Sequence, residues 1–115
     1  MFSKKLEYGY LIMKILKNTN KYNMMSGRDI LTKAKIPTNM GLGILSQLAN
    51  GGVICSAKGK NGGFYRKSQD INLFHLFYIL ETNKINVKDY LDIEYQKEML
   101  NIGLLVIEKM KTIKV

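Results

Sequence analysis

The chain has 115 residues, 46% of them hydrophobic and 23% charged, and its formal net charge is +9. This length supports one small hydrophobic core and excludes a two-domain enzyme with an interdomain cleft. No apolar run is long enough to span a bilayer, and no secretory signal pattern opens the chain. We therefore expect a single folded domain in the cytoplasm.

The positive charge is concentrated in the first part of the chain. Residues 1–70 contain 12 Lys or Arg and 3 Asp or Glu, whereas residues 71–115 contain 6 of each kind. Such segregation is typical of a polyanion-binding surface beside a neutral assembly segment. A coding bias toward lysine is the alternative explanation for the excess.

Two helices are predicted before the only proline. Residues 4–17 carry apolar side chains near helical spacing with lysines between them, which predicts an amphipathic helix. After a polar loop, Ser26 and Asp29 have the spacing of a capping box, in which two side chains satisfy free amides at a helix start. They predict a second, short helix over roughly 27–34.

A third helix follows the proline. Pro37 interrupts the apolar pattern, and Thr38 or Asn39 is expected to cap a helix that ends near Asn50. A short helix, a turn of three or four residues and a second helix form a helix-turn-helix, and a hairpin after it is a wing. The third helix is therefore the candidate DNA reader.

The stretch over residues 51–67, GGVICSAKGKNGGFYRK, predicts that hairpin. Gly51-Gly52 follow the last apolar residue of the third helix, where a left-handed C-cap is needed. Residues 53–57 and 64–66 are β-prone, and Asn61-Gly62 between them is a strong hairpin signal. The glycines lack the order of a phosphate-binding loop, and no helix follows them directly. The stretch therefore favours a wing over a nucleotide site, and no catalytic residues are predicted.

Two more helices are expected after the hairpin. The sequence LFHLFYILE predicts a helix of about two turns, and a long final helix covers roughly 92–111. The final helix has more apolar surface than one small core covers, so a second copy of the chain is its expected partner. Packing back onto its own domain is the alternative. The predicted dimerisation residues are Met99, Leu100, Leu104 and Ile107.

The single cysteine and single histidine exclude a disulfide, a CxxC redox pair and a cysteine-rich metal site. We predict neither a metal site nor a cofactor. Cys55 alternates with Val53 and Ala57 on one strand face, which favours a small buried residue; a thiol switch that distorts the wing on oxidation is the alternative. His75 is interpreted as a surface or core histidine rather than as a sensor.

Basic residues in the first part of the chain are candidates to neutralise DNA phosphates. Lys58 and Lys60 are the strongest candidates, because they lie at a glycine-rich tip that fits a narrow groove. The full candidate set is Lys4, Lys5, Arg28, Lys33, Lys35, Lys58, Lys60, Arg66 and Lys67.

The segment LEYGY, the helix-turn-helix with its Ile-Pro turn, and GGVICSAKGKNGGFYRK followed by SQDINLFHLFYILE together resemble the Rrf2 family of bacterial winged-helix regulators. The resemblance covers about residues 4–81, and its most specific part is the glycine-rich wing. It implies an α+β fold, mainly helical with a small β-hairpin. A winged helix-turn-helix domain over 1–81 would precede a C-terminal dimerisation segment over 82–115.

The resemblance also implies a function. We expect a transcriptional regulator that acts as a homodimer on a palindromic site in double-stranded DNA; a repressor is favoured, and an activator is the alternative. A small-molecule or protein effector of unknown identity is a further candidate partner. Carried over by position, the third helix would enter the major groove, the wing the minor groove, and the second helix would start beside the phosphates. The expected DNA-binding residues are Lys4, Lys5, Ser26, Arg28, Thr38, Asn39, Lys58, Lys60 and Asn61.

Two departures from the family pattern have consequences. Many relatives carry three cysteines that bind an iron–sulfur cluster, whereas residues 82–92 contain none here, so a cluster is not expected. Gly41, Leu42 and Gly43 lie in the third helix, where interior glycines cost roughly 1 kcal/mol each relative to alanine. None of the three offers a hydrogen bond to a base. The alternative function is therefore a winged-helix interaction module that no longer reads DNA sequence.

Overall fold

A computed structural model describes residues 3–81 and 103–115 of the chain. Its elements are the helices α1 (Lys4–Ile15), α2 (Gly27–Ala34) and α3 (Thr38–Asn50), the strands β1 (Ile54–Ala57) and β2 (Gly63–Arg66), and the helix α4 (Leu73–Glu81). Residues 103–111 are also helical and are called α5. This architecture confirms the predicted α+β class with one hairpin. The start of the final helix, predicted near residue 92, falls outside the described residues.

The core forms around α1, which packs against α2, α3 and α4. Ser3 caps α1, because its Oγ accepts the Leu6 N–H at 3.3 Å. The same hydroxyl donates to the buried carboxylate of Glu81 at the end of α4. Each large side chain buried in this core contributes about 1.5–3 kcal/mol. The fully buried side chains include Ile12, Met13, Leu16, Ile30, Ile44, Leu45, Leu48, Ile54, Leu76 and Met110.

The helix-turn-helix begins at a side-chain cap, as predicted. The Ser26 Oγ accepts the Asp29 N–H at 3.1 Å and so satisfies one of the free amides of α2. At the other end, Lys35 adopts a left-handed conformation with φ of 57° and terminates the helix. The Ile36 N–H then donates to the Leu31 carbonyl at 3.0 Å, which closes the turn.

The start of α3 differs from the prediction. Pro37 is the N-cap residue, with φ of −55° and ψ of 136°, and no side chain caps the helix. Thr38 and Asn39 already lie in the first turn, so the expected cap at either residue is wrong. The physical reason is that proline has the φ of a helix entry built in. Both polar side chains are left exposed instead.

The glycine pair after α3 is the predicted left-handed C-cap. Gly51 stays right-handed, whereas Gly52 has φ of 81°. The Val53 N–H donates to the Leu48 carbonyl at 3.2 Å, which is the long hydrogen bond of a Schellman motif. The chain therefore reverses into the hairpin directly after the last buried leucine of α3.

β1 and β2 pair antiparallel, with Ile54 opposite Arg66 and Ala57 opposite Gly63. The hairpin that Asn61-Gly62 indicated is therefore confirmed. In the turn between the strands, the Gly62 N–H donates to the Gly59 carbonyl at 3.1 Å. Lys60 and Asn61 occupy the centre of that turn without positive φ, and Gly59, with φ of 111°, makes the left-handed bend before it.

The hairpin is tied to the start of α2 by main-chain hydrogen bonds. The Met25 N–H donates to the Phe64 carbonyl at 3.0 Å, and the Phe64 N–H donates to the Met25 carbonyl at 2.8 Å. This bridge is antiparallel and adds one residue pair beside β2. The wing is therefore fixed relative to the helix-turn-helix at its base.

The end of the chain packs onto the segment that precedes α4. The Leu73 N–H donates to the Ile113 carbonyl at 2.8 Å, and the Val115 N–H donates to the Ile71 carbonyl at 2.9 Å. Met110 and Val115 are buried in the same core as α1–α4. Within residues 3–81 and 103–115, no helix is long and apolar enough to cross a membrane.

Candidate nucleic-acid interface

The outward face of α3 is the candidate reading surface. Gly41, Ile44, Leu45 and Leu48 are buried and define the inward face. The residues on the opposite side of α3 are solvent-exposed, as expected from the 3.6-residue period of a helix. They are Thr38, Asn39, Met40, Leu42, Gly43, Ser46 and Asn50.

Two grooves flank this face. The first, here called the α1 groove, lies between α3 and the start of α1; its lining includes Lys4, Lys5, Asn39, Met40 and Gln47. The second, the α2 groove, lies between α3 and α2 and is lined by Arg28, Leu31, Thr32, Ile36, Thr38 and Leu42. The fold therefore brings five residues that were predicted as DNA contacts to the two sides of one helix.

The electrostatics of the grooves favour an anion. Among the residues that the structure describes, no carboxylate lines either groove, whereas Lys4, Lys5 and Arg28 do. Lys4 also forms a surface ion pair with Glu7 at 3.3 Å, but both side chains are more than half exposed. Such a pair stabilises by less than about 1 kcal/mol and yields readily to a phosphate. The uncapped first amides of α3 add partial positive charge between the grooves.

The tip of the hairpin carries the other predicted contacts. Lys58, Lys60 and Asn61 are all exposed there. The turn is narrow, because a Cβ added at Gly62 would collide with the carbonyl of Ala57. The tip residues do not line the two grooves beside α3. They form a second basic site, separate from the two grooves, at the tip of the hairpin. The Met25–Phe64 bridge anchors the base of that hairpin.

Ser26 has a structural role that its prediction as a DNA contact did not anticipate. Its Oγ already accepts the Asp29 N–H, and the residue is only partly exposed. The adjacent Met25 holds the wing. Ser26 therefore links the position of the wing to the start of α2, and Arg28 is the exposed cation of this corner.

Arg66 is buried, although the sequence placed it among the candidate phosphate-neutralising cations. Its side chain is 4% exposed. The guanidinium donates to the main-chain oxygens of Ser68 at 2.8 Å, Met13 at 3.2 Å and Val115 at 2.5 Å. Burial lowers the pKa of Arg66 from its ordinary value. Arg66 is thus a buried cross-link between β2, α1 and the end of the chain, and alternation along β2 could have indicated its inward orientation.

Cys55 is not buried as expected. It is partly exposed, and the buried neighbour on β1 is Ile54. Cys55 lies directly opposite Tyr65 on the hairpin. A side-chain hydrogen bond to Cys55, the charge of the Cys55 thiolate and a minor burial effect raise the pKa of Tyr65 above 10.0. The two side chains therefore occupy the face of the hairpin away from Ile54 and Arg66.

His75 has a local role at the start of α4. Its Nδ1 accepts the Asn72 N–H at 3.2 Å, and the Asn72 Oδ1 accepts the His75 N–H at 3.0 Å. The side chain is exposed, in agreement with its interpretation as a surface histidine. This reciprocal pair caps the helix and leaves one ring nitrogen facing solvent.

The predicted dimerisation residues are only partly visible. Leu104 is 59% exposed and Ile107 is half-buried on α5. Met99 and Leu100 lie outside the described residues. Leu105, which the prediction omitted, is 71% exposed on the same helix. An apolar surface is thus present on α5 among the residues that the structure describes.

Gly41 and Gly43 differ in role, which the sequence alone did not reveal. Gly41 is buried against Leu31, and a Cβ there would overlap the Leu31 side chain. Gly43 is exposed, and no described residue outside its own stretch of α3 comes within 4 Å of the position of a Cβ. The close approach of α2 and α3 therefore requires the first glycine. Of the three residues Gly41, Leu42 and Gly43, the last two belong to the outward face of α3 and the first does not.

A helix-turn-helix followed by an anchored hairpin defines a winged-helix protein, the class to which this fold belongs. The profile of the Rrf2 family, described as iron-dependent transcriptional regulators, matches residues 2–109. The chain belongs to the Rrf2 family. Its members regulate transcription and are generally not enzymes. No curated protein matches the sequence.

Solved structures of the same class resemble this fold closely at low sequence identity. CymR, the global cysteine regulator of B. subtilis, is 21% identical with a TM-score of 0.76, over 99% of this chain and 92% of that one. IscR of T. potens is 18% identical with a TM-score of 0.78, over 99% and 82%. The oxidized form of Staphylococcus aureus CymR is 17% identical with a TM-score of 0.76, over 99% and 91%.

The family description names iron, but this chain has few side chains of the kinds that hold an iron–sulfur cluster. The chain has one cysteine, Cys55, and one histidine, His75. Protein iron–sulfur clusters require several cysteine thiolates, with histidine as an occasional replacement. Within residues 3–81 and 103–115, no three His, Cys, Asp or Glu side chains come together. The residues present do not fit an iron–sulfur cluster.

Proposed function

We propose that the protein is a DNA-binding transcriptional regulator, a repressor that acts as a homodimer on a palindromic operator in the cytoplasm. The observation that carries this proposal is the position of α3. Its outward face is solvent-exposed and lies between two grooves that contain Lys4, Lys5 and Arg28, and no carboxylate of the described residues lines either groove. A duplex is the polyanion whose major groove accommodates such a helix.

The residues beside α3 divide into two roles. Lys4, Lys5 and Arg28 reach outward at the flanks, where the phosphates of the two strands would run. Thr38 and Asn39 lie in the first turn of α3, from which helix-turn-helix proteins contact base edges. An asparagine there suits adenine, since its amide both accepts from N6 and donates to N7.

The wing would supply a second contact. Lys58, Lys60 and Asn61 are exposed on a turn with glycines on both sides. A tip this narrow enters a minor groove, where the concentrated negative potential attracts cations. The Met25–Phe64 bridge fixes the wing near the start of α2, so tip and reading helix would engage the same duplex together.

The homodimer is proposed from the apolar side chains of α5. Leu104 and Leu105 are both more than half exposed, which is costly for leucines unless a partner covers them. Residues 82–115 would form the dimerisation segment, with Met99, Leu100, Leu104 and Ile107 at the contact, and residues 1–81 the DNA-binding domain. Two-fold symmetry then requires two half-sites about 34 Å apart, one turn of DNA.

A second candidate function is an interaction module that retains the winged scaffold. The exposed apolar side chains of Met40 and Leu42, which are unusual on a surface that only meets water, favour it. In that case α3 would bind a protein groove rather than DNA. The alternative predicts that changing the wing lysines leaves the cellular activity intact.

The test is a selection of genomic fragments followed by titration. Purified protein is mixed with sheared DNA of the source genome, and bound fragments are sequenced. One enriched fragment and one scrambled duplex of equal length are then titrated at 50 and 200 mM salt. We expect enrichment of a palindromic sequence and a loss of affinity between the two salt concentrations of about 10³-fold or more. Either no enrichment of any fragment, or equal binding of the enriched and the scrambled duplex, would contradict the proposal.

A further inference from the structure

The reading face of α3 carries two exposed apolar side chains. Met40 is 46% exposed and Leu42 is 54% exposed. They lie on opposite flanks of a line formed by Asn39, Gly43 and Ser46, because Met40 lines the α1 groove and Leu42 lines the α2 groove. The face therefore consists of a polar line with an apolar side chain on each side.

The centre of this face is open. Among the described residues, apart from its chain neighbours and the nearby main chain of α3, no atom lies within 4 Å of the position that a Cβ of Gly43 would occupy. Asn39 precedes Gly43 by one helical turn and Ser46 follows it by nearly one, so the main chain is bare between two polar side chains. A base-pair edge can therefore approach the helix more closely here than at a residue with a side chain.

The charges around the face identify its occupant as DNA. Arg28 and Thr38 share the α2 groove with Leu42, and Lys4 and Lys5 share the α1 groove with Met40. An apolar protein partner would have to bury these cations without acidic groups to pair with, which is unfavourable. A duplex satisfies both requirements, because it brings phosphates to the flanks and base edges to the centre.

We infer that α3 recognises adenine–thymine pairs, with Leu42 packed against the 5-methyl group of a thymine and Asn39 hydrogen-bonded to an adjacent adenine. This inference rests on the proposed DNA-binding function. In the major groove, thymine presents the only apolar group, whereas guanine and cytosine present hydrogen-bonding atoms alone. A leucine packed against a guanine–cytosine pair leaves these atoms without hydrogen-bond partners. Binding to that pair is therefore weaker than binding to adenine–thymine. The glycine gap allows the methyl group to reach the helix.

Deoxyuridine provides a direct test, because it differs from thymidine only by the missing methyl group. The enriched fragment is trimmed to its shortest bound duplex and prepared once with thymidine and once with deoxyuridine at every thymine. Both duplexes are titrated against the wild type and against Leu42→Ala. We expect the wild type to bind the deoxyuridine duplex about fourfold more weakly per methyl contact, which corresponds to about 0.8 kcal/mol.

The leucine variant separates a methyl contact from a change in DNA shape. For Leu42→Ala we expect the two duplexes to bind within twofold of each other, since the contact is absent with either. Its thermal midpoint should equal that of the wild type, because Leu42 is more than half exposed. An equal loss on deoxyuridine for both proteins would overturn the inference and leave the proposed function intact. Failure of every duplex to bind the wild type would overturn both.

Discussion

Leu31 of α2 lies against the main chain of Gly41 in α3, so closely that a Cβ at Gly41 would overlap both methyl groups of Leu31. The contact sets the distance between the two helices of the helix-turn-helix. The contact also fixes the rotation of α3 about its axis. Gly41 is on the buried side of the helix, so Asn39 and Gly43 are on the exposed side. The position of the reading face thus depends on a missing side chain.

This contact predicts opposite effects for two identical substitutions in one helix. Gly41→Ala should lower the free energy of unfolding by about 1–3 kcal/mol, because overpacking against the buried Leu31 exceeds the gain in helix propensity. Gly43→Ala should raise it by up to about 1 kcal/mol, since nothing opposes the added methyl group. Urea denaturation of the two variants measures both. Equal effects of the two substitutions would contradict the assigned packing.

Arg66 is predicted to stabilise the fold rather than to bind DNA. Arg66→Met should lower the free energy of unfolding by roughly 2–4 kcal/mol, because the buried oxygens of Met13 and Val115 and the part-buried oxygen of Ser68 lose their donor. Lys67→Met is the matched control at the next, exposed residue and should change stability by less than about 0.5 kcal/mol. Urea denaturation decides the outcome. Similar stability of both variants would show that Arg66 does not cross-link β2, α1 and the end of the chain.

The Cys55–Tyr65 pair predicts a titration effect on the wing. The pKa of Tyr65 lies above 10.0, chiefly because of its hydrogen bond to Cys55 and the negative charge of that thiolate. The resulting contribution to stability is present below pH 10 and is lost as the pH rises through the raised pKa. Cys55→Ser should move the Tyr65 pKa toward 10.0, because serine does not ionise. NMR of labelled tyrosine ring carbons measures it, and an unchanged pKa would exclude the coupling.

The surface of α5 predicts a change in association state. Leu104→Glu should raise the dissociation constant of the proposed homodimer at least tenfold, because a carboxylate would be buried in an apolar contact. Tyr22→Glu is the control, since Tyr22 is 86% exposed on the loop between α1 and α2. Sedimentation velocity over a range of concentrations separates the two. A wild type that is monomeric at all concentrations would remove the basis for a palindromic operator.

The sequence predicted the elements whose ends are set by local chemistry. Ser26 with Asp29 gave the start of α2, and the glycine pair gave the end of α3, because both depend on hydrogen bonds between near neighbours. The start of α3 was misjudged because Pro37 provides the entry conformation that a polar cap would otherwise supply. The hairpin was predicted correctly from Asn61-Gly62, and the structure adds the left-handed bend at Gly59.

The site was less predictable, because burial depends on residues far apart in the chain. Arg66 was counted among the surface cations, yet its partners Met13 and Val115 are 53 and 49 residues away. Gly41 was counted with Leu42 and Gly43 as a weakness of the reading helix, although it packs on Leu31. Lys4, Lys5 and Asn39 were each identified from the sequence. Only the packing of α1 on α3 brings them to one groove.

The most direct test of DNA binding through α3 and the wing is the salt dependence of affinity. The slope of log K against log [salt] is measured for the wild type, for Lys58→Ala/Lys60→Ala and for the control Lys109→Ala/Lys114→Ala, whose lysines lie on the exposed surface near the end of the chain. We predict that the wing variant loses about 1.8 units of slope per wing, or 0.9 per phosphate contact, while the control keeps the wild-type slope. Equal slopes for all three proteins, or no salt-dependent binding to any duplex, would contradict the account.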